Sequence, residues 1–312
     1  MTRARLLFLF PALFVLLWST GWIVAKYASP YAEPLSFLTI RYALAGLLLA
    51  AFCFALRATW PRRQLLVHAI FSGVFLHAIY LGGIWWVLDQ QMPSTLSGMM
   101  AALQPLITAV LAGMIVGEQI STRQWTGFAL GFAGLMVALA PRLAADLSGD
   151  LAGDLAGTDG VHDGWILLIG VNFVSMISVV IGTLYQKKFL QKGDLRTITT
   201  LQYLGAFLAT LPAALLLEEF QFSWTLQLYG AMAWSVLGLS LGAVGLFVIL
   251  IREGEVSRAA ALIYLIPPTI AVQAFLVFGE RLTPLELGGM VLTVFGVYLV
   301  SGKWQKLPRT HL

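Results

Sequence analysis

The chain has 312 residues, of which 59% are hydrophobic and only 11% charged, with a formal net charge of +4. Soluble domains carry roughly 25% charged residues, so this composition excludes a soluble globular domain and predicts a polytopic membrane protein. The lone cysteine, Cys53, excludes an intramolecular disulfide and a cysteine-based metal site.

Crossing about 30 Å of hydrocarbon takes roughly 20 apolar residues in a helix. Ten stretches are read as spans: Leu6–Ala28, Pro34–Leu56, Leu65–Leu88, Ser94–Val116, Thr122–Ala140, Trp165–Tyr185, Ile198–Leu217, Leu226–Ile251, Ala259–Phe278 and Leu285–Val300, the fifth and tenth being the shortest. The first resembles a secretory signal, with Arg3 and Arg5 ahead of an apolar run. Trp18, Trp22 and Lys26 spoil any small-residue cleavage site, so it is expected to stay. The fold class expected is an all-α polytopic membrane protein of ten helices, in two inverted five-helix repeats. Residues 1–141 and 164–302 form the repeats, 142–163 an external acidic linker and 303–312 a cytoplasmic tail. Asp146–Asp163 carries five aspartates and no lysine or arginine, with a repeated Gly-Asp-Leu-Ala-Gly texture that reads as flexible linker rather than calcium cage.

The repeat is visible at an offset of about 161–162 residues. Pro105 falls on Pro267, Gly117-Glu118 on Gly279-Glu280, Gly127 on Gly289 and Gly134 on Gly296; Lys26 falls on Lys187 and Tyr42 on Tyr203. An odd number of spans per half inverts the second half, an arrangement of secondary transporters with the substrate site at the repeat interface. With the N-terminus inside, 15 of the 19 lysines and arginines fall at cytoplasmic ends or loops; the exceptions are Lys26, Arg41, Arg142 and Arg281. This bias places both termini in the cytoplasm. The net charge reflects that topology, and no nucleic-acid partner is expected.

Polar and aromatic residues at membrane depth are the candidate site. Arg41 sits about seven residues into the second helix, roughly 10 Å below the interface, where it must face a cavity or a partner. It is either an attractor for a substrate carboxylate or a structural arginine paired with Glu33 or Asp89. Lys26 shares a stripe with Trp18 and Trp22 and is read as an outer-mouth residue near Asp89 or as an interfacial anchor. Trp18 and Trp22 lie too deep for the usual tryptophan belt, which suits a wall for apolar substrates or plain packing.

In the third helix His77, Tyr80 and Ile84 share one face at α-helical spacing, and His77 is the only histidine expected at membrane depth. It is the candidate for proton coupling, against the alternative of a hydrogen-bonded bundle histidine. Asn172, Ser175, Gln202, Tyr203, Gln104 and Tyr42 complete the candidate cavity; the bland alternative is interhelical glue at about 1 kcal/mol each. Tyr264 precedes Pro267-Pro268, where a kink is expected, and Pro105, Pro267 and Pro268 are the candidate hinges. Gly127–Gly131 and Gly238, Gly242 and Gly245 have small-xxx-small spacing, read as packing within a monomer.

Ten spans as five plus five, the tryptophan-bearing Trp18-Ser19-Thr20-Gly21-Trp22, the repeated prolines and the Gly-Glu pairs together resemble the drug/metabolite transporter superfamily, specifically its EamA-type members. The resemblance covers Leu6 to Gly302. The aromatic-rich helices look most like the amino-acid exporter branch (YddG-like). The resemblance implies that helices one to four and six to nine surround a central cavity, with the fifth and tenth outside, and that the halves rock to give alternating access.

No His-Glu-x-x-His helix and no Gly-rich loop with lysine is present, so neither an enzyme nor an ATP-driven pump is expected, and no cofactor. Sugar-phosphate or nucleotide-sugar exchangers need several converging cations, and only Arg41 and Lys26 are on offer. The expectation is therefore an inner-membrane exporter of amino acids, aromatic or otherwise apolar, and related small metabolites. A sugar-phosphate/nucleotide-sugar or drug exchanger of the same fold and a passive metabolite channel stay open.

Overall fold

The computed structural model describes residues 3–104, 107–108, 111, 122–148, 164–191, 193–243, 246 and 265–301. Among them are ten helices and no strand: α1 Arg3–Ala28, α2 Pro34–Ala55, α3 Arg63–Asp89, α4 Ser94–Ala101, α5 Thr122–Ser148, α6 Trp165–Phe189, α7 Leu195–Leu217, α8 Leu226–Ala243, α9 Ile266–Phe278 and α10 Pro284–Ser301. Five of them, α2, α3, α6, α7 and α8, are long and apolar enough to cross a membrane. The fifth helix runs further than its apolar stretch: α5 continues through Pro141 to Ser148. A proline removes one helical hydrogen bond and bends the axis, and here it does not end the helix.

Helix α2 packs on α7, and α5 on α10. Helix α3 packs on α6 and α7, while α8 packs on α1 and α2; α4 lies against α9 and α6, and α1 against α9. The α5/α10 crossing has its cause in the sequence. Where α5 meets α10 the backbones touch: a Cβ on Gly134 would lie 2.6 Å from the Gly289 carbonyl oxygen, and one on Gly289 would lie 2.8 Å from the Ala138 Cβ. The small-xxx-small face of the fifth helix is thus consumed inside the chain. In α8 the outcome differs from expectation. A Cβ on Gly238 or Gly242 would meet only its own helix, at Trp234 and the Leu237 carbonyl, and Gly245 lies outside the described residues.

Two helices are not α-helical throughout. Val74–Ile79 in α3 and Trp234–Ala243 in α8 are π-helical. A π turn holds an extra residue and is frequent at functional sites. The two segments sit at matching positions of the 161–162-residue offset, and each faces the α2/α7 crossing. That crossing is the centre of the larger apolar core, which includes Phe37, Tyr42, Ala45, Tyr203 and Ala206. A second core joins the α4 methionines Met99 and Met100 to Leu135 and Leu139 of α5 and Leu168 of α6.

Candidate functional site

The α2/α7 crossing brings Tyr42 and Tyr203 together, with ring centroids 6.0 Å apart. Both rings are fully buried. Helix α3 supplies the third member: the His77 ring stacks on Tyr203 at 4.8 Å and 15°, and the Tyr42 hydroxyl donates to the His77 carbonyl at 2.9 Å. That carbonyl lies in the π segment. The looser π turn therefore puts a backbone acceptor at the bundle centre, and Tyr42 satisfies it.

Arg41 lies beside this trio, only 6% exposed. Its Nε donates to Ser240 Oγ at 3.3 Å, and Ser240 also hydrogen-bonds Tyr203. No carboxylate pairs with Arg41 among the described residues, so the partners expected from the sequence, Glu33 and Asp89, are not its partners. Glu33 instead accepts from the backbone N–H groups of Glu219 and Gln221 at 3.1 and 2.9 Å. Asp89 accepts from Gln90. A buried guanidinium with five donors and, among the described residues, one bond to a neutral hydroxyl has unspent capacity, and a carboxylate would match its fork.

The other sequence-derived candidates form separate hydrogen-bonded sets. Trp22 Nε1 and Asn172 Nδ2 both donate to Ser97 Oγ, at 3.1 and 2.9 Å, joining α1, α6 and α4. Asn172 Oδ1 is buried with no partner among the described residues. Gln104 Nε2 donates to the Tyr80 hydroxyl and meets the Met176 sulfur, both at 3.3 Å. Gln202 donates to Ser72 Oγ and Gln186 Oε1, tying α7 to α3 and α6. Arg41, Asn172, Ser175 and Gln202, all placed in the candidate cavity by the sequence, thus bond to different partners. Trp18 is half-buried, tilted on Phe14 at 5.3 Å.

Ser175 donates to its own helix at Val171 and lines a groove of about 990 Å³ between α3, α6 and α7, whose walls include Val74, Gly82, Gly170 and Ala209. Lys26 also departs from its expected pairing: its ammonium bonds Glu280 Oε1 at 2.8 Å, not Asp89, and lies over the Phe278 ring. Pro267 and Pro268 occupy the first turn of α9, where the missing N–H has no helical acceptor anyway. Pro105 and Tyr264 lie outside the described residues.

Ser97 and Ser240 were missed by the sequence reading. Ser240 is a hydroxyl in the middle of an apolar span, the same signal that picked out Asn172 and Ser175. Ser97 instead lies in the first turn of α4, where a serine reads as a helix start. Tyr42→Phe removes the bond to the His77 carbonyl and leaves that acceptor buried and unpaired, which costs about 1–3 kcal/mol. A lower melting temperature with the ring packing retained is expected, read by thermal unfolding in detergent.

The model of the EamA-like transporter family matches residues 5–140 and again 164–302. The chain is 28% identical, over 97% of its length and 92% of the relative's, to the uncharacterized transporter YvbV of Bacillus subtilis strain 168. It is 24% identical to a probable amino-acid metabolite efflux pump of Salmonella typhimurium strain LT2, over 92% of each chain. A solved crystal structure at 17% identity superposes over 96% of each chain with a TM-score of 0.60, which is a likeness of fold. With both helical halves matched by its model, this chain belongs to the EamA-like transporter family and is a multi-pass membrane transporter.

Proposed function

We propose that this transporter is a carrier exporting amino acids, with aromatic or other apolar side chains, across the bacterial inner membrane by alternating access. The observation that carries this reading is Arg41: a buried cation at the α2/α7 crossing without a carboxylate partner among the described residues. Burying an unpaired charge costs several kcal/mol, and at membrane depth ionisable groups mark substrate paths. The missing anion is the substrate carboxylate. Tyr42, His77 and Tyr203 pack next to it, an aromatic surrounding that would suit an apolar side chain once the α2/α7 crossing opens. A single cation there fits one carboxylate and falls short of the several that a phosphate ester needs.

The two halves work as inverted repeats with both termini cytoplasmic. Helix α3 packs on α6 and α7 as α8 packs on α1 and α2, and α1 packs on α9 as α6 packs on α4. These pairs exchange when the halves are swapped, as an inverted repeat requires. The carrier works as a monomer, since the glycine faces of α5 and α10 are spent on each other. The relatives named as efflux pumps support the substrate class and the outward direction.

The test is uptake into proteoliposomes with a panel of labelled amino acids, with and without a pH gradient. Saturable flux of aromatic or aliphatic amino acids, competed by unlabelled analogues, is the expected result. Absence of flux for every amino acid retires the substrate class, and flux that does not saturate makes the protein a channel.

A further inference from the structure

Helices α1, α7 and α9 finish at the end of the bundle where α2 and α4 begin. Helix α9 ends in a left-handed turn at Gly279, φ 69°, with Gly279 N–H on the Phe275 carbonyl at 3.0 Å and Glu280 N–H on the Ala274 carbonyl at 3.3 Å. Glycine takes that φ without a steric cost. The turn leaves Glu280 against α4, where its Oε1 accepts from Ser94 N–H at 3.2 Å and its Oε2 from Thr95 Oγ1 at 3.4 Å. The same Oε1 takes the Lys26 ammonium of α1 at 2.8 Å. One carboxylate from the second half therefore holds two helices of the first.

The end of α7 repeats the device. Glu218 accepts from Leu35 N–H at 2.8 Å and from Ser36 N–H and Oγ, both at 2.7 Å, so it caps α2 from across the halves. Glu33 returns the contact to Glu219 and Gln221. The connecting loops are joined further by the Ala32–Phe222 bridge and by Ser223 N–H on the Tyr31 carbonyl at 2.7 Å. Helix N-termini favour carboxylates through their free amides and dipole, but most helices take that carboxylate or hydroxyl from their own chain neighbours. The first residues of α7 are the counterpart of the α2 start under the repeat offset. They are capped from within: Asp194 accepts from Arg196 N–H at 3.0 Å. Among the described residues, the inter-half capping seen at the start of α2 is not repeated at the start of α7.

We propose that Glu280 and Glu218 are the clasps that hold this end of the transport path shut, and that each cycle breaks and remakes them. On the topology proposed above, which this inference rests on for its direction, the clasped end is external and the structure is closed to the outside. The Gly-Glu pair of the second half thereby acquires a role: the glycine ends the helix and the glutamate reaches across.

The test needs no substrate, so it stands or falls separately from the amino-acid reading. Spin labels replace Tyr27 at the end of α1 and Leu276 near the end of α9, both exposed, in full-length protein with Cys53→Ala, reconstituted in nanodiscs. Distances are compared for the parent, Lys26→Arg, Lys26→Gln and Glu280→Gln. The parent and Lys26→Arg are expected to give one short distance, and the two glutamine variants an added longer population. Unchanged distances in both glutamine variants, with parent-like elution on size exclusion, overturn the proposal. If Glu280→Gln does not fold, Lys26→Gln decides alone, since it leaves the Glu280 cap on Ser94 in place.

Discussion

Arg41→Ala is expected to abolish most transport while leaving the protein as stable as before, or more so. The two effects part because the guanidinium is buried with one bond to Ser240 and no carboxylate among the described residues. Removing it takes away a desolvated charge that contributes little to the fold. On the proposed carboxylate role it also removes the charge-assisted bonds to the substrate, worth about 1.5–3 kcal/mol each. Transport at low substrate should fall about 10- to 100-fold, since roughly 1.4 kcal/mol is tenfold. Arg41→Lys keeps the charge and loses the bidentate fork, so it should fall between. The check is initial uptake in proteoliposomes beside the thermal unfolding midpoint. Parent-like uptake by Arg41→Ala would sink the carboxylate role; a large drop in midpoint would make the arginine structural.

Gly205→Ala and Gly73→Ala should be among the most damaging single-methyl changes in the chain. A Cβ at Gly73 would fall on the Gln202 carbonyl oxygen of α7, and one at Gly205 on the Ile70 carbonyl oxygen of α3. Both obstacles are backbone, so no rotamer change relieves them, and α3 and α7 must separate. Overpacking costs about 1–3 kcal/mol where side chains yield, and the upper end or beyond is expected here. Separating α3 from α7 also moves His77 off Tyr203, so transport falls with stability. Gly21→Ala is the internal control: nothing lies within 4 Å of its Cβ, and alanine is the better helix former by about 1 kcal/mol. Thermal midpoints of the three variants settle the matter. Equal losses in all three would mean that the α3/α7 contact is not the cause.

The helical architecture was legible because hydrocarbon thickness imposes a minimum run of apolar residues, and the runs around Phe37 or Ile181 meet it without ambiguity. The α5/α10 crossing was partly legible too, since Gly127–Gly131 announces a close approach without naming its partner. The site was less so. The face drawn through His77, Tyr80 and Ile84 assumes 3.6 residues per turn, and the π segment Val74–Ile79 breaks that period. His77 consequently stacks on Tyr203 while the Tyr80 hydroxyl meets Gln104. Nothing in the composition of Val-Phe-Leu-His-Ala-Ile marks a π turn. The sequence sets Lys26 beside Asp89 because both lie near helix ends on one side. Its partner is Glu280, 254 residues away, and only the repeated Gly-Glu pair pointed there.

Arg41, with no carboxylate partner among the described residues, has an electrical consequence. Moving one elementary charge across the membrane potential is worth about 2.3 kcal/mol per 100 mV. A carrier with a permanent central cation is charged when empty and equally charged when it holds a zwitterion, whose carboxylate and ammonium cancel. Each half-cycle then senses voltage while the completed cycle moves no net charge, so the potential should drive no accumulation of neutral amino acids even as single-turnover currents respond to it. An anionic substrate would break that balance, leaving the loaded carrier neutral and the net flux driven by voltage.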